Sequence, residues 1–567
     1  MKLRNIIILT MTVILPQALL ASRVKSEWKT YTQPDGTTLV LQLCGDEHFT
    51  CYRADDGRLF TLDSLGIFQP LNPQQASQQA AHARKAMRHL SAINTNWDPN
   101  KIYRQMVVLV APSDVDFSAS DPHAFFDSML NEPGFNKRQG VGCVADYFRE
   151  QSGGLFNLQF DVFGPYKASQ VAQPYTNPNS KTHNHGNSYM LDALQTLLAE
   201  ETELDFSPYD WNNDGYVDQV VAICAGYGGN TGGENFYGYL WPNTSSLSKT
   251  LTTHDGKKIS AYSVSPELWP NKASCGIGTV CHEFSHCLGL PDIYPTNGWV
   301  FSAVDEWDLM DGGNYTNYGW CPPNYSALEK MLLGWLTPTE LTEPATITGM
   351  KPVSEGGEVY LIRHTDNEYL LLENRQHTGW DAGTPGSGLI IFHVNYKESL
   401  WRNNRVNDTQ NQLNYDIIHA DGLDYTQWDN LMDERGISSQ WQNKPMMNNW
   451  HLSTSPYPWA TDSTETNNQL TDESSPAPVM FNKNADGSLL LSKPITNIQV
   501  SADGYVSFNF MGGDPTAISI PVESPRDKTA TGRQGLYDLQ GHRRKGATGK
   551  GLYIEIRQDG TIRKVII

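Results

Sequence analysis

Cys281-His282-Glu283-Phe284-Ser285-His286-Cys287-Leu288-Gly289-Leu290-Pro291-Asp292 reads H-E-x-x-H-x-x-G-x-x-D. Two histidines four positions apart on a helix lie about 40° apart around its axis, so both imidazoles reach one ion. Glu283 stands beside the first histidine and faces a water on that ion. Gly289 takes backbone conformations closed to other residues and turns the chain back. That turn lets Asp292 close the coordination shell. The string predicts a catalytic zinc site with His282, His286 and Asp292 as ligands, one open position, and Glu283 as general base. A surface helix with two solvated histidines is the bland alternative, and the added Gly and Asp count against it.

Outward from this helix, expected over 276–288, the chain alternates helices and strands. Residues 106–111 and 217–225 are apolar runs of the kind that fill central strands. Residues 121–131, 141–151 and 187–201 read as helices, and 155–163 alternate like a strand. The stretch 226–275 reads as polar loops. This pattern predicts an α/β domain over 101–338. After the histidine helix, Glu306-Trp307-Asp308-Leu309-Met310-Asp311-Gly312-Gly313 forms a turn. Met310 there suits a hydrophobic floor under a metal, although such a Met is more often plain core.

Asp210-Trp211-Asn212-Asn213-Asp214-Gly215-Tyr216-Val217-Asp218 has oxygen side chains at loop positions 1, 3, 5 and 9 and Gly at 6. Asp210, Asn212, Asp214, Asp218 and the carbonyl of Tyr216 match the first part of a calcium loop. Position 12 is Val221, so the loop is no full EF-hand. The alternative is an Asx and Asp-Gly turn before a strand. His183-Asn184-His185 lies in a polar stretch and reads as a solvated pair.

The flanks set the context. Lys2 and Arg4, an apolar run over 6–15 and the small residues near Ala21 read as a signal peptide over 1–22. Residues 23–100 combine short strands with a polar helix over 74–93, as a prosegment would. Cys44-Gly45-Asp46 offers a thiolate and a carboxylate to an inhibited zinc, but ordinary core and turn roles fit these residues better. Residues 339–512 read as an all-β, sandwich-like domain, and 513–567 as a small C-terminal β module. The expected fold class is therefore multidomain, with an α/β catalytic domain followed by β-rich parts. A net charge of −20 argues against nucleic acid and against an anionic membrane surface. No later stretch is apolar enough for a transmembrane anchor. Eight cysteines are few for a disulfide scaffold of this length; Cys281 and Cys287 lie on different helix faces, and Cys224 sits in an apolar run.

The stretch 282–292 with Leu290-Pro291-Asp292-Ile293-Tyr294, then Glu306-Trp307-Asp308-Leu309-Met310, resembles the immune inhibitor A (M6) family of secreted zinc metalloproteases, which is metzincin-like. Asp146-Tyr147-Phe148 with Ser152-Gly153-Gly154, the acidic loop at 210–218, Tyr369-Leu370-Leu371-Leu372-Glu373 and Leu389-Ile390-Ile391-Phe392-His393 extend the likeness over roughly 100–400. The tail resembles terminal β modules of exported Bacteroidetes proteins, some of which are sorting signals. The resemblance implies a Met turn at Met310, protein or peptide substrates and work outside the cell. Metzincins commonly carry a third His where this chain has Asp292, and Glu306 is a rival third ligand. No Tyr stands two places after Met310 to steady an oxyanion. A vestigial core that only binds, and a zinc hydrolase of glycosylated targets, are the competing readings.

Overall fold

A computed structural model describes residues 19–21, 24, 28–45, 49–63, 66–76, 95–172, 186–232, 240–296, 303–409, 412–422, 450–460, 466–514, 516–519, 535–537, 543–544, 552–556 and 562–566. The apolar run of the expected leader, most of the polar helix over 74–93, and His183-Asn184-His185 lie outside them. The described chain is mixed α/β with several sheets.

The site rests on one mixed sheet. Its strands are β1 (Ile102–Ala111), β2 (Asn157–Lys167), β3 (Val220–Tyr227), β4 (Asn243–Thr252) and β5 (Lys258–Leu268). The spatial order is β4-β5-β3-β1-β2, with the segment Leu19–Ala21 outside β4. Neighbours from β5 to β2 are parallel, whereas β4 is antiparallel to β5. Leu19–Ala21 pairs antiparallel with β4, Leu20 facing Thr244.

Strand side chains alternate between faces, so each apolar strand buries two sets. Val107, Leu109, Val221 and Ile223 point into one core with helices α1 (Pro122–Asn131), α2 (Val144–Gln151) and α4 (Gly278–Cys287). Met106, Val108, Val110, Val220 and Ala222 point into the other, under α3 (Asn187–Glu200). Local caps fix two helix starts: the Asp121 carboxylate accepts from Ala124 N at α1, and Cys143 with Asp146 closes a capping box at α2.

The expectation of loops over 226–275 is corrected by β4 and β5. Asn243-Thr-Ser-Ser-Leu-Ser-Lys-Thr-Leu-Thr has little apolar signal, yet Asn243, Ser245, Leu247 and Leu251 are buried. Its Thr residues suit a pleated surface, and the ladder to β5 satisfies its backbone. The strands turn at Asp255-Gly256, where Gly256 has φ +84 and donates its N–H to Thr253 O.

Lys29–Thr32, Thr38–Gly45, Thr50–Ala54, Leu59–Leu62 and Phe68–Leu71 form a five-stranded antiparallel sheet. After the site, Glu368–Arg375 and Gly388–Asn395 are neighbouring strands of another five-stranded sheet. Leu361, Leu371, Ile390 and Phe392 of that sheet lie in the same buried cluster as Phe284, Trp307 and Tyr325. The described residues up to 518 accordingly form one compact unit. Residues 519–567 form a second, with a four-stranded sheet. Among the described residues, no helix is long and apolar enough to cross a membrane.

Candidate metal centre

Helix α4 is buried from Gly278 to His286, which sets it apart from an ordinary surface helix. Close packing needs Gly278: a Cβ there would lie 2.1 Å from Asn314 O. Phe284 faces Phe148 and Phe156 across the core. The opposite side carries the two histidines. The helix ends at Leu288, and Gly289 at φ +96 turns the chain so that Asp292 returns beneath them.

Asp292 Oδ1 lies 3.2 Å from His282 Nε2 and 3.4 Å from His286 Nε2. All three residues are buried. They form a group of metal-type ligand atoms within 4.8 Å of one another, the sole such group among the described residues. Each imidazole is oriented from behind. His282 Nδ1 meets Leu309 O at 2.8 Å, and His286 Nδ1 meets Leu290 O at 2.8 Å. A carbonyl only accepts, so Nδ1 donates in both rings and each Nε2 is turned towards Asp292 as the atom a metal would take. Three acceptor atoms thus converge, and none has a hydrogen-bond donor from the protein. That arrangement fits a divalent cation and is costly without one.

Met310 is fully buried in the turn that follows. Its N–H donates to Asp308 Oδ1 at 2.7 Å, and its carbonyl accepts from Ile293 N at 2.8 Å. The Met turn therefore holds both the carbonyl behind His282 and the residue after Asp292. Glu306 is buried in the short helical turn Asp305–Trp307 and stands outside the three-ligand group. Glu283 is buried beside the cluster. Thr244 Oγ1, on β4, donates to Glu283 O at 2.7 Å and lies 3.2 Å from Glu283 Oε2.

The acidic loop is arranged differently. Asp210 accepts from Asp214 N and Gly215 N, and Lys257 Nζ sits 2.7 Å from Asp210 Oδ2. Asn212 accepts from Asp214 N, Asp214 from Tyr216 N, and Asp218 from Trp211 N. The carboxylates of Asp210, Asp214 and Asp218 do not form a three-ligand group. Burial, and then the charges of Asp214 and Asp210, push Asp218 up to about 6 against the pull of Trp211 N–H. Tyr216 is exposed beside the loop.

Sequence reasoning missed Thr244, Asp308 and Asn404. Thr244 lies on the unrecognised strand β4. Asp308 had a local signal, since an Asp two residues before Met310 is placed to accept its N–H. Asn404 lies 112 residues from the aspartate it touches and had no local signal.

Residues 94–333 match the family model described as immune inhibitor A peptidase M6, catalytic domain. The chain is similar to "Pre-pro-metalloprotease PrtV" of Vibrio cholerae, 22% identical over 267 residues, which are 42% of this chain and 28% of that protein. It is also similar to "Immune inhibitor A" of Bacillus thuringiensis, 26% identical over 221 residues, 34% of this chain and 31% of that protein. The chain thus spans less than a third of the length of these relatives.

Proposed function

We propose that this chain, an M6-family metalloprotease by its residues 94–333, is a secreted zinc endopeptidase of metzincin-like architecture. The convergence of His282 Nε2, His286 Nε2 and Asp292 Oδ1, with no protein donor among them, carries this reading. Two imidazoles and a carboxylate are an ordinary catalytic zinc set that leaves one position open. Zinc held there supplies the Lewis acid that polarises the scissile carbonyl and acidifies the attacking water.

The chain's own residues do the rest. Leu309 O and Leu290 O accept from the two Nδ1–H groups and so aim each Nε2 at the metal position. The Glu283 carboxylate takes the proton of the attacking water and passes it to the leaving amine. Met310 is the floor under the ligands. Substrates are proteins or peptides, lying extended along the edge of β4 that Leu19–Ala21 covers and that removal of the leader would free.

Export is supported by the leader-like residues 1–22, and a prosegment over 23–100 by the small sheet at 29–71. The relative named a pre-pro-metalloprotease is consistent with both. We also propose Ca2+ at Asp210, Asn212, Asp214, Tyr216 and Asp218, supported by their spacing. The test is zinc content and casein cleavage of the purified chain, with Glu283→Ala beside it. One zinc per chain and cleavage lost only in the variant support the reading. Zinc without cleavage by the parent overturns it in favour of a binding protein.

A further inference from the structure

Asn404 belongs to the region after residue 339, in the turn that follows the short helix Glu398–Arg402. Its side chain is buried against the third ligand. Asn404 Oδ1 accepts from Asp292 N at 2.6 Å, and Asn404 Nδ2 donates to Asp292 Oδ2 at 2.6 Å. One amide thus grips both the backbone and the carboxylate of a single aspartate. The grip consumes Oδ2 and leaves Oδ1 facing the two histidines. A carboxylate otherwise turns freely about its last torsion, which is broad and two-fold. Asn404 holds φ +53, a left-handed conformation that Asn tolerates better than most residues.

The neighbouring residues tighten the same contact. Thr296 Oγ1 donates to Asn404 O at 2.6 Å, and Asp408 Oδ1 accepts from Thr296 N at 2.8 Å. Asn407 Nδ2 donates to Ile293 O at 2.9 Å. Residues 404–408 therefore clasp 292–296 at several points, and Asn404 does so on a ligand side chain.

We propose that Asn404 is a positioning residue for the metal: it sets the rotation of the Asp292 carboxylate, so that the region after residue 339 completes the zinc site of the catalytic domain. This rests on the zinc reading above. Groups behind a ligand typically change metal affinity by 10–100-fold when removed.

The test uses the full chain and measures zinc affinity by competition with a chromogenic chelator, together with the Tm of the metal-free protein. Asn404→Gly suits the left-handed backbone and deletes the amide. Asn404→Asp keeps the shape but sets an oxygen against Asp292 Oδ2, which guards against a Gly variant that fails to fold. Both are expected to bind zinc about 10–100-fold more weakly than the parent. Folded variants with parental zinc affinity overturn the proposal. A parent that binds no zinc removes the zinc reading as well, and this is seen before any variant is compared.

Discussion

At residues 282–292 three metal-type ligand atoms face one another with no hydrogen-bond partner from the protein. At residues 210–218 the oxygen atoms accept from the loop's own N–H groups, and Lys257 already sits on Asp210. Both stretches carry metal-type spacing. The difference teaches that spacing states which atoms are available, whereas the fold decides whether anything else satisfies them. The histidine site has its donors turned away from other partners by Leu309 O, Leu290 O and Asn404. The acidic loop must give up Lys257 before Asp210 is free for a cation.

The comparison breaks most readily at the first site. His286→Ala removes one of three ligands and is expected to abolish both stoichiometric zinc binding and casein cleavage, read by metal content and product release. Retention of zinc by this variant would place the metal elsewhere. Glu283→Gln is expected to leave zinc content intact and lower the cleavage rate by roughly 10²–10⁴-fold, the usual share of a general base. Equal loss of zinc would make Glu283 a structural residue.

A carboxylate fully satisfied by protein donors marks the far end of the comparison. Glu368 accepts from Phe481 N, Asn482 N, Asn482 Nδ2 and His393 Nε2. Burial pushes its carboxyl up, but these donors outweigh it and hold it down to about 2, against an ordinary 4.5. A depressed folded value adds stability that is complete above the unfolded value and is lost as pH falls through the folded one. The Tm is therefore expected to fall between about pH 4.5 and pH 2, and Glu368→Gln is expected to flatten that limb. An unchanged acid limb in the variant would show that other groups govern it.

The smallest effect belongs to the acidic loop. Calcium is expected to raise the Tm less than zinc does, because Lys257 competes for Asp210. Lys257→Met is expected to enlarge the calcium increment, and Asp218→Asn to remove it. No increment in either parent or Lys257→Met would make the loop a plain turn.

The histidine helix was legible because its ligands lie within eleven residues of one another and need only helical periodicity and one glycine. The apolar strands β1 and β3 were legible for the same local reason. The polar strand β4 was not, since Ser and Thr at its positions read equally well as loop, and only the ladder to β5 decides. The expectation of separate catalytic and β-rich domains rested on the change of pattern near residue 340. A core shared by Phe284 and Phe392 leaves no trace in local sequence. Asn404 was illegible because its role exists only once residues 112 positions apart meet.

The central claim concerns one ion and its three ligands. The most direct test is an anomalous-difference map, at the zinc edge, from crystals of the full chain. The account predicts one peak about 2.0–2.2 Å from His282 Nε2, His286 Nε2 and Asp292 Oδ1. No peak there, or a peak held by Glu306 in place of Asp292, would contradict it.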